Sequence, residues 1–147
     1  MTYPAPPDAP PIAAEDYAQI LAFYAAQVRL LDQGRADEFA EQFTEDGVFG
    51  QNVKPEPKRG RQEIADSMRR GMAVLAERGL TRRHWFGMVS AGALPDGAVR
   101  TEYYAMVYET PRGGTASVYL STTAEDELVQ RDGRWLVRSR HVTHDGT

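Results

Sequence analysis

The chain contains no cysteine. Disulfides, thiolate metal sites and a cysteine nucleophile are therefore excluded. A cytoplasmic home is the default expectation for such a chain. No run approaches the ~20 consecutive apolar residues of a membrane span. The opening MTYPAPPDAPP has no basic segment followed by an apolar one, so it does not read as a signal peptide. Positive charge is not in surplus: 17 basic residues face 21 acidic ones, for a net charge of −4. That balance argues against nucleic acid as a partner. There is no glycine-rich phosphate loop, no HExxH and no GxSxG, so no cofactor signature is present.

What remains reads as one soluble α+β domain of 147 residues. Five of the nine prolines fall in residues 1–11. Such a segment favours extended polyproline conformation, and 1–14 is read as an arm, loose or laid over a partner subunit, ahead of a single domain over 15–147. Glu15 and Asp16 suit a helix N-terminus. Tyr17, Leu21, Tyr24, Val28 and Leu31 recur at three- and four-residue spacing, which predicts an apolar helix face ending near Gly34. ADEFAEQF predicts a short second helix, and a strand is expected near Val48 and Phe49. RQEIADSMRRGMAVLAERG predicts a third helix, with Ile64, Met68, Met72 and Leu75 on one stripe and Gly79 closing it. Strand-like runs then follow at 81–91, 98–110, 115–130 and 134–144. LPDG, PRGG and RDG turns separate them, which implies an antiparallel meander. Long strands must curl, and a curled sheet with helices across its mouth forms a cone with an inside.

Two residues stand out. Asp32 lies three helical turns after Leu21, so the two project within about 20° of each other. It also sits in the last turn, where the macrodipole disfavours an anion. Either it caps the following helix through backbone donors near Ala36 or Asp37, or it serves a site. His84 lies in TRRHWFGMVS. With period two it shares a face with Phe86 and Met88, away from Trp85 and Gly87. It is either a satisfied structural histidine or a base whose tautomer Asp32 fixes.

LLDQGRADEFAEQFTEDGVF, RRHWFG and EDELVQRDGRWLVRSRHVTHD together resemble the SnoaL-like, scytalone-dehydratase-like branch of the NTF2-like superfamily. The resemblance spans about residues 15 to 145. It implies a cone-shaped fold whose strongly curved antiparallel sheet wraps N-terminal helices and an internal apolar pocket. It implies an Asp32–His84 dyad acting on a pocket-bound substrate, and homodimers or homotrimers formed through the sheet's outer face, where Trp85, Tyr104 and Tyr108 are placed. Two positions depart from the scytalone dehydratase pattern: Tyr103 stands near its second pocket histidine and Ala124 near its asparagine. The superfamily hosts several chemistries.

The expected activity is cofactor-independent proton transfer on a hydrophobic, ring-bearing or polyketide-like molecule: dehydration, isomerisation or cyclisation. Tyr103 and then Tyr24 are the candidate donors to a developing enolate. Leu21, Phe49, Met68, Met72, Phe86 and Met88 are the expected pocket lining, with Tyr119 as a further candidate. His141, on a face with Trp135 and Val137, approaches from the far side. His144 is expected to be solvated. No metal is expected, because His84, His141 and Asp32 match no metal-ligand spacing. A non-catalytic binder or a dioxygenase-β-subunit-like partner is one rival reading. An epoxide hydrolase or epoxide-opening cyclase is the other, and it needs Glu102, Glu125 or Asp126 to point inward.

Overall fold

The computed structural model describes residues 9–147. Most of the proline-rich arm lies outside them. The part that is described lies against the chain itself: Pro11 bridges Gly92, the Ala93 amide donates to the Pro10 carbonyl at 2.7 Å, and Ile12 is buried.

Helix α1 covers Ala14–Asp32 and α2 covers Ala36–Glu41. Strand β1 (Phe43–Gln51), the short β2 (Lys58–Arg59) and helix α3 (Gly60–Arg78) follow. The long strands are β3 (Leu80–Ala93), β4 (Val99–Pro111), β5 (Ser117–Arg131) and β6 (Arg134–His144). The sheet order is β2-β1-β6-β5-β4-β3. The last four strands form the expected antiparallel meander, while β1 pairs parallel to β6. The sheet is curved but does not close. Left-handed Gly34 (φ 77°) and Gly79 (φ 67°) stop α1 and α3, a conformation open to glycine without penalty.

α1 lies over β3, and α3 packs on α2, β1 and β3. Ile20, Tyr24, Phe39, Phe43, Ile64 and Leu128 are central to the core between helices and sheet. The α1 stripe differs from the expected one. Ile20, Tyr24 and Gln27 are buried, whereas Leu21 is 40% exposed. A polar Gln27 disguises the true stripe in the sequence, and the reading slips round the helix by one residue. Leu21 therefore stands off the buried stripe of α1.

Bulges set the sheet's phase. One extra residue sits in β3 between Gly87 and Ser90, with Met88 at φ 53°. Met88 turns outward, 76% exposed, and Val89 takes the inward place against the core. Arg138 is the extra residue in β6, where Leu128 pairs with Val137 but Glu127 pairs with Ser139. Beyond it Arg140, Val142 and His144 face inward, and His141 faces solvent beside Glu125. Neither Met88 nor His141 lines the interior.

Candidate active site

Asp32 ends α1 directly opposite His84 on β3. The two side chains meet at 2.7 Å, Nδ1 to Oδ1. The His84 backbone amide also donates to the same carboxylate, at 3.2 and 3.3 Å to its two oxygens. Asp32 caps nothing in α2, whose first turn receives no side-chain cap. Because a carboxylate only accepts, the neutral imidazole carries its proton on Nδ1. Nε2 is then a free lone pair. The side chains are 25% (His84) and 16% (Asp32) exposed, which leaves the ring reachable from the mouth of the cone. An anion at a helix C-terminus is disfavoured by the dipole, and these three contacts offset that.

Inward-facing residues next to His84 on β3 are Arg82 and Phe86. Phe86 meets Tyr24 edge to face (centroids 5.6 Å) and lies tilted against Tyr103 (4.7 Å). Arg82 pairs with Glu109 at 2.8 Å and lies 3.9 Å above the Tyr119 ring. Tyr119, 46% exposed, thus belongs to the rim of the sheet rather than to the interior. Phe49 and Met68 pack against the core, and Met72 is half-buried on α3. His144 is not left to solvent: its Nε2 meets the Gln51 side-chain oxygen at 2.9 Å.

The centre of the interior is polar, not apolar. Asp126 on β5 is fully buried and binds Arg140 on β6 in a two-pronged pair, through Nε and Nη2 at 2.9 Å each. The Tyr24 hydroxyl donates to Asp126 at 2.7 Å and receives the Thr101 hydroxyl at 2.5 Å. The Tyr103 hydroxyl donates to the same carboxylate at 3.0–3.1 Å. Arg140 Nη2 also reaches the Gln27 oxygen at 2.6 Å. The rings of Phe86, Phe43, Tyr24 and Tyr103 surround the guanidinium, with centroids 5.2–5.9 Å away. Burial, reinforced by the Asp126 charge, pushes the Tyr24 phenol well above its ordinary pKa. Burial does the same to Tyr103 against the opposing pull of Arg140. Burial alone would lower Arg140, but Asp126, Tyr103 and Tyr24 together outweigh it and the net shift is upward.

This arrangement changes the role of the two tyrosines. Each phenol has one proton, and both protons are committed to Asp126. Neither hydroxyl, as placed, is a donor to a substrate oxygen. Asp126 in turn is saturated with donors and has no freedom to activate water. Glu102 and Glu125 lie on the outer face, where both meet Arg100 at 3.1 Å. Two clefts open outside the interior. One of about 400 Å³ lies on the outer face beside Met88, Tyr104 and His141. The other, about 430 Å³, lies between the end of α3 and the β3–β4 end of the sheet. Among the described residues no three of His, Asp and Glu gather as metal donors, and no helix is long and apolar enough to cross a membrane.

Sequence reasoning missed Gln27 and Arg140. The signal available was Arg140 itself, an arginine inside the strand-like run 134–144 with no acidic neighbour along its strand face.

The SnoaL-like domain family matches residues 13–141. The chain belongs to this family. Its NTF2-like architecture is shared with solved structures. ActVI-ORFA from Streptomyces coelicolor is 31% identical, with 92% of this chain and 98% of that one covered and a TM-score of 0.86. Aln2 from a Streptomyces species is 29% identical over 91% and 94% of the two chains, with a TM-score of 0.84. A Catenulispora acidiphila protein solved in complex with S-DNPA is 36% identical over 90% and 96%, with a TM-score of 0.77. No curated protein matches the chain.

Proposed function

We propose that this SnoaL-like protein is an acid/base enzyme acting on a hydrophobic, ring-bearing, polyketide-like ketone, with Asp32 and His84 as its proton-transfer unit. The observation that carries this reading is the 2.7 Å Asp32–His84 contact at the mouth of the cone. His84 Nε2 takes a proton from the carbon next to the carbonyl, giving an enolate and an imidazolium. Asp32 holds the tautomer and faces the positive charge that forms. The proton then returns to a leaving hydroxyl, which departs as water, or to another carbon, so that dehydration, isomerisation and enol-driven ring closure share one machinery. A positioned base of this kind contributes about 10²–10⁴-fold. The S-DNPA bound by the Catenulispora relative supports a small-molecule ligand. The epoxide-opening alternative loses support, because its second carboxylate would be Asp126, which five donor contacts already occupy.

The test needs no knowledge of the natural substrate. In D₂O, the protein should accelerate exchange of the α-protons of 1-tetralone, followed by proton NMR. His84→Asn should abolish the acceleration with the fold intact, and Asp32→Asn should reduce it. Exchange unchanged in His84→Asn would refute the proposal.

The outer face of the sheet exposes Trp85, Met88, Tyr104 and Val118 together. We assign this face to self-association, as a dimer or trimer.

A further inference from the structure

The buried network around Asp126 leaves the Gln27 side-chain amide nitrogen without an acceptor. Gln27 is fully buried, yet its Nε2 has no hydrogen-bond partner among the described residues. The amide orientation is not arbitrary. Its oxygen lies 2.6 Å from Arg140 Nη2, and turning the amide over would set donor against donor. Leaving an amide N–H group buried and unpaired is costly, so such groups in folded proteins meet an acceptor.

The other donors nearby are occupied. Both phenols and the Thr101 hydroxyl are engaged, and Arg140 uses Nε and Nη2 on Asp126 and Gln27. That leaves Arg140 Nη1, which shares its carbon with the nitrogen touching Gln27. Two uncommitted donors, one on a cation, therefore belong to side chains that already touch each other. Gln27 lies on α1 between Tyr24, which joins the network, and Asp32, which holds His84. The inward residues of β4 and β5 include the small side chains Ala105, Thr122 and Ala124.

We infer that Gln27 Nε2, assisted by Arg140 Nη1, is the donor pair for a ligand's carbonyl oxygen, the task the tyrosines cannot perform while they serve Asp126. This deepens the proposed function and rests on its reading that a ring ketone enters the cone. As the α-proton leaves toward His84, negative charge grows on that oxygen, and a donor pair backed by a guanidinium stabilises it. Gln27 then selects ketones over hydrocarbons of the same shape.

The experiment compares binding of 1-tetralone and tetralin by titration NMR, with the infrared carbonyl stretch of bound tetralone as a second readout. Wild-type protein is expected to prefer the ketone by about tenfold and to shift its carbonyl stretch to lower frequency. Gln27→Leu should erase the preference and the shift while tetralin still binds. Gln27→Glu, which keeps the size and the Arg140 contact but offers acceptors, should do the same and decides the matter if Gln27→Leu fails to fold. In His84→Asn the ketone preference should persist. Equal binding of ketone and hydrocarbon overturns this inference alone. Failure of both probes to bind at millimolar concentration overturns it together with the ring-ketone reading. A preference that survives in folded Gln27→Leu or Gln27→Glu, or an ordered water on Nε2 that stays in place when tetralone is bound, also refutes it.

Discussion

Arg140→Met tests the buried centre of the cone most directly. Methionine keeps much of the volume and removes the guanidinium. Three hydrogen bonds disappear, two to Asp126 and one to Gln27. Arg140 and Asp126 are 2% and 0% exposed, so bulk water does little to replace what is lost. Removing one partner of such a pair costs about 3–5 kcal/mol. Two phenols still donate to Asp126, which places the expected loss near the lower end, about 3 kcal/mol. At about 2–4 °C per kcal/mol for a chain near this size, Tm should fall by about 6–12 °C. Asp126→Leu should be worse. It strands the guanidinium and leaves both phenols without an acceptor, at about 1–3 kcal/mol for each orphaned group. The double variant should recover part of that loss, because a buried ion pair and a well-packed apolar pair are close in stability. Thermal and urea unfolding followed by circular dichroism measure all three. A loss below about 1 kcal/mol in Arg140→Met, the range of an exposed pair, would refute the reasoning.

Three further outcomes are expected. Asp32→Asn should release His84 from the Nδ1–H tautomer, and ¹⁵N NMR of the ring should show a single tautomer in the wild type and a mixture in the variant. An unchanged ring spectrum would mean that Asp32 does not set it. Tyr24 and Tyr103 have phenol pKa values raised in the folded state by burial. Their neutral forms stabilise the fold fully below the unfolded value of about 10, and that stability is lost as pH rises above it. Absorbance at 295 nm should therefore show a late step that coincides with alkaline unfolding and is missing in the Tyr24→Phe/Tyr103→Phe protein. A late step retained in that protein would assign it to other tyrosines. Tyr104→Glu on the exposed outer face should lower the assembly mass measured by light scattering, while an unchanged mass would remove that face from the interface.

The order of elements was legible because it depends on local chemistry. Acidic residues open α1, Gly34 and Gly79 close α1 and α3, and Asp-Gly and Gly-Gly turns separate the long strands. Asp32 and His84 were legible for the opposite reason: each sits where local preference argues against it. Periodicity failed where one added residue resets it. Met88 and Arg138 each insert into a strand, and every side chain beyond them changes face, so Val89 and Arg140 turn inward while His141 turns out. No propensity in the residues themselves announces that step.

The chain by itself determined an α+β cone and a misplaced aspartate and histidine that call for each other. Only the tertiary structure decided what fills the cone. Tyr24, Gln27, Thr101, Tyr103, Asp126 and Arg140 come from four elements, and their contacts reach up to 113 residues along the chain. Each looks unremarkable or misplaced within its own helix or strand. They become compatible with burial only together, because a charge removed from water must find its partners wherever the fold brings them.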